Sequence, residues 1–152
     1  MSKKDRLEKV ARHVLTREGL SGFTMERLAE AAEVSRPTVY QYFGSREGAL
    51  AATALSTIAV CSQLFESAQR FQGAPREQAM ALMTGFEVLA RFEPDHLETL
   101  EFLGMPWIKR ALAAPPLEAL QALVMGFGAR LSGLMQLSLE QGQLELPVGY
   151  PM

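Results

Sequence analysis

Apolar residues recur at spacings of three and four along nearly the whole chain, and nowhere do they alternate with polar ones in a β-branched run. The pattern predicts an all-α protein of about seven helices. The first carries Leu7, Val10, Ala11 and Val14 on one face and is predicted to stop at Gly19. The segment GLSGFT reads as a loop. Thr24 then caps a short second helix, Met25 to about Ala32, with Leu28, Ala29 and Ala32 facing inward. After a turn at Glu33–Val34, Ser35 caps a third helix that tolerates Pro37 in its first turn and ends at Gly44. Ser45 caps a fourth, Arg46 to about Gln72, with Leu50, Ala54, Ile58, Cys61 and Leu64 in its stripe. Gly73 and Pro75 break the chain before a fifth helix that ends near Phe92. Pro94 opens a sixth, broken at Gly104 to Pro106, and Pro115–Pro116 opens a long last helix that ends near Gly142. The tail, QLELPVGYPM, has two prolines and no periodicity and reads as irregular.

Two short capped helices joined by a brief turn form a helix-turn-helix unit rather than a bundle hairpin. On the third helix Val39 and Phe43 share a face and are predicted to pack inward, with Tyr42 near the buried edge. Pro37 and Gln41 then point about 160–200° away, flanked by Thr38 and Tyr40 and framed by Arg36 and Arg46. A merely solvated face would be richer in Glu and Lys. This one suits the DNA major groove. A glutamine amide matches adenine N6 and N7, arginine matches guanine O6 and N7, and Pro37 and Thr38 can touch a thymine methyl. Tyr40 and Tyr42 can hold phosphates, which position without reading sequence. Thr24, Ser35 and Arg46 sit at helix N-termini, where free N–H groups favour phosphate. The plainer alternatives are half-buried rings, a neutral surface glutamine and a solvated helix start.

Charge supports the same end of the chain. Residues 1–50 carry nine Lys and Arg against seven Asp and Glu, whereas residues 51–152 carry six against ten. A mildly basic head on an acidic body hints that the head meets an anion. With 48% hydrophobic and 21% charged residues the chain should fold. Cys61 has no partner cysteine, reads as a small buried apolar residue, and suits a reducing cytoplasm. No signal-peptide core and no run of about 18 apolar residues are seen, so no membrane span is expected. Arg12 and Arg17 read as a solvated face. His13 and His96 stand in no ligand spacing, and no nucleophile–base pair, phosphate loop or paired acidic site appears, so neither a metal, a cofactor nor an enzyme is expected. The body is rich in Met and aromatic residues, which read either as an adaptable core or as a plastic apolar pocket. The pocket reading names Met83, Phe86, Glu87, Phe102, Trp107 and Phe127 as lining, with Arg91 and His96 as further polar contacts. Three glycines in the last helix, Gly126, Gly128 and Gly133, would allow close approach of another helix or a ligand.

The spacing of Gly19, Phe23–Thr24, Leu28–Ala29, Val34–Ser35, Thr38-Val39-Tyr40, Phe43, Ser45-Arg46-Glu47 and Leu50 resembles the tetracycline-repressor family of bacterial transcription regulators, over about residues 6–55. The resemblance implies a DNA-binding head, residues 1–47 with its helix-turn-helix at about 24–43, on a shortened helical regulatory body, 48–152. It implies a homodimer on a palindromic operator, acting as a repressor that a small hydrophobic effector releases. It places Arg36, Pro37, Thr38 and Gln41 at base-reading positions and Thr24, Ser35, Tyr40, Tyr42 and Arg46 at phosphate-binding positions. Two departures stand out. Glu33 replaces the glycine common in the turn, which predicts strain there if φ is positive. The chain also stops soon after LEQGQLELP, so the helices that usually dimerise are missing from the pattern. A second reading follows from that: a shortened regulator that pairs with another protein through exposed apolar helix faces.

Overall fold

The computed structural model describes residues 2–145. Among these residues eight helices and no strand occur: α1 (Lys3–Gly22), α2 (Met25–Ala31), α3 (Arg36–Phe43), α4 (Arg46–Gln69), α5 (Pro75–Phe92), α6 (Pro94–Leu103), α7 (Pro106–Ala111) and α8 (Ala114–Glu140). The additional helix is α7. The expected break at Gly104 to Pro106 is real, but the chain resumes a short helix beyond it, with Pro106 in the first turn. Residues 143–145 of the expected irregular tail are non-helical, and residues 146–152 lie outside the described residues.

Local chemistry explains most of the boundaries. Thr24, Ser35 and Ser45 each accept a backbone N–H from three residues on, satisfying a donor that the first turn leaves free. Gly19 adopts φ 67° and kinks α1 rather than ending it, and the helix runs on to Gly22. The turn between α2 and α3 places Glu33 at φ 54°, so the predicted strain is present. At the corner between α3 and α4, a Cβ on Gly48 would lie 2.0 Å from the Phe43 carbonyl oxygen, so only glycine fits there.

Helix α1 packs on α2, α4 and α6, while α4, α5 and α8 pack on one another. One apolar cluster runs through the molecule, from Leu15, Phe23, Leu28 and Val39 around the helix-turn-helix to Leu103, Ile108 and Leu120. Arg12 departs from its expected solvated place. It is only 8% exposed, on a helix against which both α4 and α6 pack, and its Nη1 meets Ser56 of α4. The body's methionines depart in the opposite sense. Met80, Met83, Met125 and Met135 are exposed rather than core. Helices α4 and α8 are also long and apolar enough, by length and composition, to cross a membrane, contrary to the sequence expectation. Helix α4 turns seven of its residues into the core, from Ala49 to Cys61, whereas most of the apolar window of α8 is uncovered.

Candidate nucleic-acid interface and apolar cavity

Helix α3 is held from below and open above. Val39 is fully buried and Phe43 partly so, as their spacing predicts. Arg36, Pro37, Tyr40, Gln41 and Tyr42 are exposed, and Thr38 is half-buried. Tyr42 is more open than expected, at 41% exposure, and Lys3 lies over its ring with Nζ 5.9 Å from the centroid. The Thr38 and Ser35 hydroxyls lie 2.9 Å apart, so each restricts the other's rotamer. Arg36 lies 3.3 Å from a Glu26 carboxylate oxygen, and both side chains are solvated. Such a pair is worth little, so the guanidinium is free to exchange partners.

Arg46, expected at a phosphate, has backbone partners within the head. Its Nε donates to the Phe23 carbonyl at 2.6 Å and its Nη2 donates to the Leu20 carbonyl. It therefore ties the start of α4 to the last turn of α1, beyond the Gly19 kink, and to its C-cap Phe23. Lys3 and Arg6, which the sequence did not single out, lie beside the motif. Arg6 Nη2 donates to the Ala32 carbonyl at 3.1 Å, at the entry to the turn. Their signal was the basic run at the N-terminus.

Behind this face, a cavity of about 380 Å³ lies among the helices of the body. Phe65, Phe86 and Phe127 form part of its wall. The Phe127 ring centroid lies 5.6 Å from Phe65 and 5.1 Å from Phe86, the latter edge-on. Lys109 and Gln121 are the polar residues of an otherwise apolar lining. Cys61 also lines it, and burial pushes its thiol up to about 11, so the group stays protonated and inert.

Of the six predicted pocket residues, Phe86 and Phe127 meet in this cavity. Met83 and Glu87 instead line a shallower groove between α5 and α8, and Glu87 is paired with Arg91 at 2.8 Å. Phe102 and Trp107 pack edge-on with each other at 4.9 Å, and the tip of Phe102 faces Gly19. That pair belongs to the contact between α1 and the body. His96 is buried against Thr57 and does not face the cavity. Among the described residues no group of three or more His, Cys, Asp or Glu is placed to hold a metal ion.

The family model for bacterial regulatory proteins, tetR family, matches residues 8–53, which span the helix-turn-helix. No curated protein matches the chain in sequence. Solved structures do match in fold. The TetR family transcriptional regulator PfmR from Thermus thermophilus is 23% identical, with a TM-score of 0.73 over 95% of this chain and 76% of its own. AibR in complex with isovaleryl coenzyme A and operator DNA is 15% identical, with a TM-score of 0.78 over 96% of this chain and 77% of its own. The superantigen PfiT is 19% identical, with a TM-score of 0.70 over 97% of this chain and 76% of its own. At these identities the likeness concerns the fold, which hosts more than one activity. The sequence match covers the helix-turn-helix itself, so residues 8–53 match the head of the tetR family of bacterial regulatory proteins, and the chain as a whole shares the fold of tetR-family regulators.

Proposed function

We propose that the protein is a repressor that reads a palindromic operator through α3 and leaves it when a small apolar acid fills the cavity. The observation that carries the DNA half is the exposed face of α3. It offers a guanidinium, an amide, a hydroxyl and two rings on a helix fixed by Val39 below and Ser35 at its start. Gln41 and Arg36 read base edges, and Pro37 and Thr38 touch thymine methyls. Tyr40, Tyr42, Thr24 and Ser35 hold phosphates, with Lys3 as a further cation beside Tyr42. Arg46 serves the fold of the head.

The effector half is supported by the aromatic lining of the cavity and by Lys109, the charged residue in that lining. An apolar body with an anionic end fits it. AibR, which shares the fold, was crystallised with isovaleryl coenzyme A, an acyl compound.

Two heads must meet successive major grooves about 34–36 Å apart. The uncovered face of α8 supports pairing with a second copy. Ala122, Gly126, Ala129 and Gly133 are exposed at spacings of four and three, beside Met125 and Leu137, and between Gln121 and Leu139 the one charged residue is Arg130. Small residues let two helix backbones approach closely.

The experiment is selection of bound fragments from random duplex DNA. A palindrome with half-sites one helical turn apart is expected, bound about 10³-fold more weakly when salt rises from 50 to 200 mM. Gln41→Ala should relax preference at one base pair by about 1–3 kcal/mol. Selection of no common sequence, or binding indifferent to salt, would overturn the reading.

A further inference from the structure

A polar cluster sits between the cavity and the helix-turn-helix, where α1, α4 and α6 meet. Cys61 of α4 and Leu100 of α6 line the cavity. One turn earlier on the same helices, four residues before each, stand Thr57 and His96. His96 Nδ1 lies 3.1 Å from Thr57 Oγ1, so one buried hydrogen bond joins α4 to α6 directly beneath the cavity wall. Thr57 is fully buried and His96 is 5% exposed.

Arg12 of α1 completes the cluster. Its Nη1 donates to Ser56 Oγ at 3.1 Å, and Ser56 Oγ donates on to the Thr53 carbonyl at 3.1 Å. Its Nε is buried with no partner. Among the described residues no carboxylate lies within 4.0 Å of its guanidinium, although Glu8, Glu93 and Asp95 act on it from further away. A buried cation without an ion pair and with an unmade hydrogen bond is held only while its surroundings keep their places. His96 stays neutral beside it. Burial pushes the imidazole down to about 4, and the Arg12 charge pushes the same way.

We propose that Arg12, Thr57 and His96 form the joint through which the cavity acts on the DNA-reading helices. The proposal rests on the reading of the cavity as an effector site. An occupant that presses on Cys61 and Leu100 separates α4 from α6 and breaks the bond between Thr57 and His96. Arg12 then loses the packed surface that holds it, and α1 moves relative to α4, carrying α2 and α3 with it. The joint touches neither DNA nor effector, so its substitution should uncouple the two sites while leaving each intact.

The test uses the full chain, a labelled copy of the selected duplex, and decanoate as the probe for the cavity. Duplex affinity is read by fluorescence anisotropy with and without saturating decanoate, and decanoate binding by calorimetry. In the wild type, decanoate should weaken duplex binding at least about tenfold. In Thr57→Val and Arg12→Met the effect should fall below about threefold, with decanoate affinity and duplex affinity in its absence close to wild type. Thr57→Val removes the bond at nearly constant volume, so it carries the test if Arg12→Met fails to fold, with circular dichroism as the check. Variants that respond to decanoate like the wild type overturn the joint. Decanoate that binds the wild type without changing duplex affinity also overturns the joint and leaves the cavity reading standing. Decanoate that does not bind at all overturns both.

Discussion

At the scale of single residues, the structure separates what a side chain can do from what its surroundings require of it. Arg36 and Arg46 are chemically identical and flank the same helix, yet one stays solvated beside Glu26 and the other ties two backbone carbonyls. Sequence spacing puts both on the DNA side because it sees only the faces of α3 and α4. The carbonyls of Leu20 and Phe23 are exposed to Arg46 by the kink at Gly19, which no local periodicity encodes. The burial of Arg12 is hidden from the sequence for a related reason. Its own helix gives it an ordinary outer position, and α4 and α6, which pack against α1, are distant in the chain. His96 makes a measurable prediction. Its pKa near 4 in the folded state lies below the ordinary 6.5, so between those pH values the unfolded chain binds a proton that the folded chain refuses. Stability should be fully present above about pH 6.5 and fall by about 2 kcal/mol on going to pH 5. Burial is the main cause, the charges of Arg12 and Lys9 on α1 act in the same direction, and Glu93 and Asp95 at the start of α6 oppose it. His96→Asn should flatten that part of the profile in urea melts, and an equal slope in the variant would remove His96 as the cause.

At the scale of elements, the helix-turn-helix was the most legible part of the chain because its signals are local. Serine and threonine caps, Pro37 in a first turn and Gly44 at an end each act within a few residues, and all appear where the sequence put them. The turn gave a conditional expectation that the structure resolves. Glu33 does sit at positive φ, in open solvent, between Ala32 and Val34. A glutamate there costs about 1 kcal/mol relative to glycine. Glu33→Gly should therefore raise stability by about that amount, seen as a higher thermal midpoint, and should also remove a negative charge from the turn before α3. An unchanged or lower midpoint would mean that the turn gains something from the glutamate that its geometry does not reveal. Helix α7 and the contact of Phe102 with Trp107 were less legible. Two aromatic residues near a break suit a pocket as well as a packing contact, and only the approach of Gly19 decides between them.

At the scale of the whole molecule, α8 poses the question of what covers its outer face. The helix is 27 residues long, about 40 Å, and apolar on both faces, so periodicity could not say which face is covered. Leu120, Leu134 and Ser138 turn inward, while Ala122, Met125, Gly126, Ala129 and Gly133 face out. An uncovered apolar surface of this kind is unusual for a monomer. The three glycines turn that observation into a test. A Cβ added at Gly126, Gly128 or Gly133 would meet no atom within 4 Å in the single chain. Alanine at any of them should then stabilise the helix by about 1 kcal/mol if the face stays in water, because glycine is that much poorer a helix former. If two copies pair along the small-residue stripe, the three positions must differ. Gly128 lies off the stripe, and Gly128→Ala should raise the thermal midpoint without changing the mass in solution. Gly126 and Gly133 lie on it, and Gly126→Leu or Gly133→Leu should force the backbones apart and leave monomers by light scattering. Those monomers should still bind a single half-site, with the loss confined to the palindrome. If both leucine variants stay dimeric, or the wild type is monomeric at the concentrations at which it binds the palindrome, the pairing is made by another surface or by the DNA alone.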